Sequence, residues 1–225
     1  MTVRYAPAQL SSLVSIAAAL GVLGILNSVA ESLVPLAVLT LGLASVGIGG
    51  FARRRDYPLV GGVCVLVGAA FVPAALGLLL TTGSERALVM FLPGMLGAFV
   101  LSLGVFPIRG SGSRSAVKIG TAGVFFSVLL AGIYEASLFV ILLTGIGTIL
   151  AWDAGDHAIS LGTQMGVEAA TLPVEVTHIA GSAVVGILAV IVAYGISSFH
   201  VAEVSLGQLI VLLVALLFLT LALHD

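Results

Sequence analysis

The sequence predicts an all-α fold: a polytopic transmembrane bundle of about seven spans with one extra interfacial amphipathic helix, in a single domain of residues 1–225. Three observations predict it. Of the 225 residues 60% are hydrophobic and only 8% are charged, where soluble domains carry roughly a quarter charged residues. Apolar runs near the roughly 20 residues that cross a 30 Å hydrocarbon layer recur along the whole chain. None alternates in polarity as a barrel strand does, so each run satisfies its backbone amides internally, as a helix.

The runs fall at about 10–29, 32–52, 58–82, 87–108, 119–149, 173–197 and 204–223. The first follows "MTVRYAP" in the manner of a signal peptide, but it is as long as a full span and reads as the first transmembrane helix. The third and fourth contain Pro73 in "AAFVPAALG" and Pro93 in "MFLPGML"; both helices are expected to kink or break there. The 28 glycines, many at small-residue spacing, predict close helix packing, since small residues let backbones approach where lipid supplies no hydrophobic preference. Cys64, the one cysteine, sits in "VGGVCVLVG" and reads as a small buried hydrophobe.

The fifth run is the awkward one. From Ile119 to Ala151 a single helix would be about 50 Å long, more than a bilayer needs. Either one tilted helix projects from the membrane, or Glu135 marks a hairpin. "AGIYEASLF" has no turn chemistry beyond Gly132, so a single helix is expected. Glu135 is then an intramembrane carboxylate near the midplane, where an ionisable group faces a water path or bonds across the bundle.

Basic residues set the orientation, because cytoplasmic loops carry the lysine and arginine excess. With the N-terminus inside, Arg4, Arg53, Arg54, Arg55, Arg109, Arg114 and Lys118 are cytoplasmic and only Arg86 is outside. Seven spans then place the C-terminus outside, in the cell membrane. A hairpin at Glu135 would move everything from Trp152 to Ser182 to the inner face.

That stretch, "AWDAGDHAISLGTQMGVEAATLPVEVTHIAGS", concentrates the polar chemistry of the chain. At helical periodicity Asp153, Asp156, His157, Ser160, Gln164 and Glu168 share one face, while Gly155, Ala158, Gly162, Gly166 and Ala169 line the other. The expectation is a helix over 151–170, external and too polar to span. Its small face packs on other helices, its acidic face looks to water or to a partner, and Trp152 sits at headgroup level. Thr171 can cap the helix that follows, with Pro173 in its first turn and Glu175 at the positive end of its dipole.

Glu175 and His178, three apart, share a face. With His157 and His224 they form a candidate site for a divalent metal such as zinc, although the carboxylate di-iron bundles need two Glu-x-x-His motifs and this chain has one. Packing histidines and a solvated acidic face account for the same residues without a cofactor. His200, in "SSFHVAEV", reads as plain surface.

Several activities are excluded. The net charge of −2 and scattered basic residues argue against nucleic-acid binding. The one lysine, Lys118, stands at the edge of the fifth run and cannot serve as the Schiff-base lysine of a microbial rhodopsin. There is no G-x-S-x-G and no H-E-x-x-H.

Locally, Trp152, Asp153, Gly155, Asp156, His157, Ala158, Gly162, Gln164, Glu175, His178 and Ser182 carry a resemblance to an uncharacterised family of haloarchaeal multi-pass membrane proteins, often encoded beside MoxR-type ATPases. There a "WDAGEHAIGLGEQ" segment is followed by "ELVHAGGS". Asp156 departs from that pattern. The resemblance implies a source and a neighbourhood but no reaction, and a bias to arginine over lysine agrees with a GC-rich, halophilic origin.

The function expected is a non-enzymatic integral membrane subunit or scaffold, embedded in the lipid bilayer and bound to a membrane-protein partner or a second copy of itself. Its partner or packing surface comprises Trp152, Asp153, Asp156, His157, Gly162, Gln164, Gly166 and Glu168. Two other readings stay open: a metal-dependent membrane hydrolase, and an ion or proton pathway through Glu135.

Overall fold

The computed structural model describes residues 6–30, 33–107, 111–165 and 170–198, and within them the chain is a bundle of seven helices. These are α1 (Gln9–Ala30), α2 (Leu33–Arg54), α3 (Pro58–Thr82), α4 (Glu85–Val105), α5 (Arg114–Ile133), α6 (Leu138–Met165) and α7 (Leu172–Ser198). All seven are long and apolar enough to cross a membrane, and the protein is a multi-pass membrane protein. Residues 1–190 form one compact unit. A second unit begins at Ile191, and only its first residues, the end of α7, are described.

Small residues seat the hairpins, as their spacing predicts. A Cβ on Gly49 would lie 2.7 Å from the Gly61 carbonyl oxygen, and one on Gly68 would lie 2.9 Å from the Val46 amide nitrogen. Thus α2 and α3 touch backbone to backbone. Helix α1 runs through the middle, with Val22, Leu23 and Leu26 buried against Leu39, Met90, Phe91 and Met95 of the same core. The helical turns of α3 and α4 continue through Pro73 and Pro93 without a break. Cys64 is half-buried, and its carbonyl accepts a 2.8 Å hydrogen bond from Ser45.

The fifth apolar run is divided, which overturns the single helix expected over 119–149. Helix α5 ends at Ile133 and α6 starts at Leu138. Between them Glu135 adopts a left-handed conformation, φ 62°. The Tyr134 amide bonds the Leu130 carbonyl at 3.1 Å, and the Ala136 amide bonds the Ala131 carbonyl at 3.0 Å. This is the closure usually made by glycine after a helix, here built on a glutamate. The Ser137 hydroxyl receives the Val140 amide at the start of α6. From α4, the Arg86 guanidinium donates to the Tyr134 carbonyl and lies over the Tyr134 ring. Glu135 is therefore an exposed turn residue, not a carboxylate inside a span.

The break has two further consequences. Residues 151–165 are not a separate surface helix but the second half of α6. They also lie at the same end of the bundle as the arginine-bearing loops, not at the opposite end: Gly112, in the loop between α4 and α5, abuts both Pro7 and Ile159. The apolar run at 204–223, together with His200 and the C-terminus, lies outside the described residues.

A candidate functional site where α6 meets α1, α5 and α7

The two faces of the α6 segment are packed in different ways. On the small-residue face, Gly162 admits the chain preceding α1: a Cβ there would fall on the Ala6 carbonyl and lie 2.8 Å from the Pro7 Cα. Gly155 is pressed on Ser15 and Val117, a Cβ lying 2.9 Å from each. The Ala158 carbonyl accepts the Ala8 amide at 2.7 Å, and the Ala151 carbonyl accepts the Ser15 hydroxyl at 2.6 Å. On this face the α6 backbone touches α1 and the residues that precede it.

The polar face departs from expectation. It does not stand free toward water but grips two neighbouring helices. Asp153 Oδ2 accepts the Ser182 hydroxyl of α7 at 2.6 Å and lies 2.9 Å from His178 Nε2. The His157 ring stacks on His178 with centroids 3.8 Å apart and planes 11° from parallel. Asp156 lies 3.6 Å from the Arg114 guanidinium of α5, whose other nitrogen donates to Ser160 at 2.9 Å. His178 and Ser182 reach α6 together because they are four apart on α7 and share a face.

The short Asp153–His178 distance is not a well-aligned hydrogen bond. Among the described residues, His157 Nε2 and His178 Nε2 are both buried without a hydrogen-bond partner. The contact is thus an electrostatic one, made off the direction of the ring N–H.

Glu175, one turn before His178, is only 2% exposed. One carboxylate oxygen accepts the Ser11 amide of α1 at 2.7 Å, and the other accepts the Thr171 hydroxyl at 2.7 Å. The first turn of any helix presents amides with no intrahelical partner, so Glu175 caps α1 from another helix while Thr171 steadies it. Beside it is a cavity of about 470 Å³, bordered by Pro7, Leu10, Arg54, Gly162 and Thr171. The Arg54 guanidinium also lies 5.9 Å from the centre of the Phe106 ring.

Of the residues expected to form the site, Asp153, Asp156, His157, Gly162, Glu175 and His178 are brought together, with Trp152 and Gln164 exposed on the same stretch. Gly166, Glu168 and His224 lie outside the described residues. Glu135 belongs to the turn at the other end of α5 and α6. No group of three His, Cys, Asp or Glu side chains arranged to hold a metal occurs among the described residues. Arg114 and Ser11 were missed as partners. Arg114 becomes legible only when the chain is folded back at Glu135, which puts the start of α5 beside the end of α6.

No curated protein and no solved structure matches the chain. Residues 69–220, more than half of it, match the profile of a family of unknown function, DUF7519, and the chain belongs to that family.

Proposed function

We propose that the protein is a non-enzymatic integral membrane subunit in which the α6 polar segment clasps the bundle at its cytoplasmic end. One observation carries this reading: each described carboxylate of residues 151–182, on α6 and on α7, holds a neighbouring helix. Asp153 holds α7 through Ser182, Asp156 holds α5 through Arg114, and Glu175 holds α1 through the Ser11 amide. The Ser182 hydroxyl, which donates to Asp153, is itself part of this clasp.

The clasp shares its end of the bundle with Arg53, Arg54, Arg55, Arg114 and Lys118, and this basic excess supports a cytoplasmic position for it. A cytoplasmic clasp suits an assembly served from within the cell, in keeping with the resemblance to haloarchaeal proteins encoded beside MoxR-type ATPases. Native purification with identification of co-purifying chains and elemental analysis tests the reading. The expected result is a constant membrane or cytoplasmic partner and no stoichiometric metal. Stoichiometric zinc that disappears in His157→Ala and His178→Ala would overturn it in favour of a metal-dependent enzyme.

A further inference from the structure

Above the clasp, α7 is sparingly buried. Only 11% of its most apolar window is buried, against 56% for α4, and the space it leaves is a cleft of about 820 Å³ bounded by α1, α6 and α7. That volume is in the upper range of small-molecule sites, roughly 300–1,000 Å³. The α7 wall runs from Thr177 to Val190, about 20 Å at 1.5 Å per residue, which spans the roughly 15 Å of one leaflet of a 30 Å core. The lining is overwhelmingly apolar, and its polar groups gather at one end, where Asp153, His178 and Ser182 meet beside Trp152. The cleft is kept open by glycine. A Cβ on Gly21 of α1 or on Gly181 of α7 would meet no atom within 4 Å.

A long apolar slot with a few polar groups at its head is the form of a site for a lipid-like amphiphile, and the head chemistry narrows the choice. Asp153 repels a carboxylate or phosphate at that position. Arg114, the one arginine of α5, is engaged by Asp156 and Ser160, so it does not offset the repulsion. The Asp153 carboxylate, which takes the Ser182 hydroxyl on Oδ2 and lies 2.9 Å from His178 Nε2, has acceptor capacity left for an uncharged hydroxyl. We infer that the cleft between α1, α6 and α7 binds a single long-chain molecule, alkyl or isoprenoid, with a neutral hydrogen-bonding head at Asp153 and His178 and its chain running along Gly181 toward Val190.

Trp152, the only tryptophan of the chain, borders the cleft and reports its occupancy, because bromine quenches indole fluorescence only on contact. The full-length protein in lipid nanodiscs is titrated with dibrominated octadecanol and, separately, with dibrominated stearate. Saturable quenching by the alcohol and a weak, non-saturating response to the anion are expected. Gly181→Leu adds a side chain to the cleft lining where a Cβ meets no atom within 4 Å and favours helix, so it should abolish the saturable component while leaving the melting temperature unchanged or raised. If that variant fails to fold, Gly21→Leu makes the same obstruction from α1. Asp153→Asn should let the stearate quench as the alcohol does. Organic extraction of the native protein then tells an alkyl from an isoprenoid occupant. Absence of saturable quenching, equal quenching in a folded cleft-filling variant, or stearate binding as well as the alcohol in the unsubstituted protein would each overturn the inference.

Discussion

The Glu175 carboxylate of α7 accepts the backbone amide of Ser11 in the first turn of α1 at 2.7 Å, joining helices that are 164 residues apart in the chain. A buried acidic residue thus does for a distant helix what an N-cap side chain does locally. Removing it leaves the Ser11 amide and the Thr171 hydroxyl unsatisfied. Glu175→Ala should therefore lower stability by about 1–3 kcal/mol. Glu175→Gln, which retains one acceptor oxygen, should cost less. Thermal unfolding followed by circular dichroism in one detergent measures both, and an alanine variant as stable as the parent would refute the cap.

Glu135 pays for its left-handed backbone, because an L side chain in that region costs roughly 1–2 kcal/mol. Glu135→Gly relieves this and should raise stability by up to about 1 kcal/mol. Glu135→Val, β-branched at the same φ, should lower it. Arg86→Ala should destabilise the turn from the other side by removing its bond to the Tyr134 carbonyl. Stability that falls in Glu135→Gly would show that the carboxylate itself is needed.

The hairpin makes a topological prediction. In a Cys64→Ala background, single cysteines at Ser111 and Ser160 should behave alike and resist an impermeant maleimide in intact cells. A cysteine at Glu135 should react. Labelling of Ser160→Cys without Ser111→Cys would contradict the shared end of the bundle. Labelling at both, with protection at position 135, would invert the orientation and leave the fold intact.

The two faces of the α6 segment should respond to substitution very differently. Gly162→Leu drives a side chain into the backbone of Ala6 and Pro7, which cannot rotate away, and overpacking of this kind costs about 1–3 kcal/mol or more. His157→Ala loses one ring stacked on His178 and should cost less than the glycine change, because truncation forces no backbone apart. Arg114→Gln, at an ion pair half open to solvent, should change stability by less than about 1 kcal/mol. Melting temperatures that reverse the order of the glycine and histidine variants would move the centre of the site from packing to chemistry.

What was legible in the sequence is what depends on neighbours along the chain. Apolar runs of bilayer length predict helices because the amides of each run are satisfied within it. The glycine and alanine side of residues 151–165 predicts a packed face because helical periodicity is local. The segment that carries the polar chemistry could also be named from composition alone. The tertiary structure decided where these parts go. A turn built on Glu135 instead of glycine leaves no strong local signal, and its closure depends on Arg86, nearly 50 residues earlier. Once the chain reverses there, the described elements that follow, α6 and α7, change ends. Asp156 then meets Arg114, His178 meets Asp153, and Glu175 reaches the amide of Ser11. A face that reads as water-exposed in isolation becomes a clasp, because a polar side chain at helical spacing says only that it needs a partner, and three-dimensional proximity determines whether that partner is water or another helix.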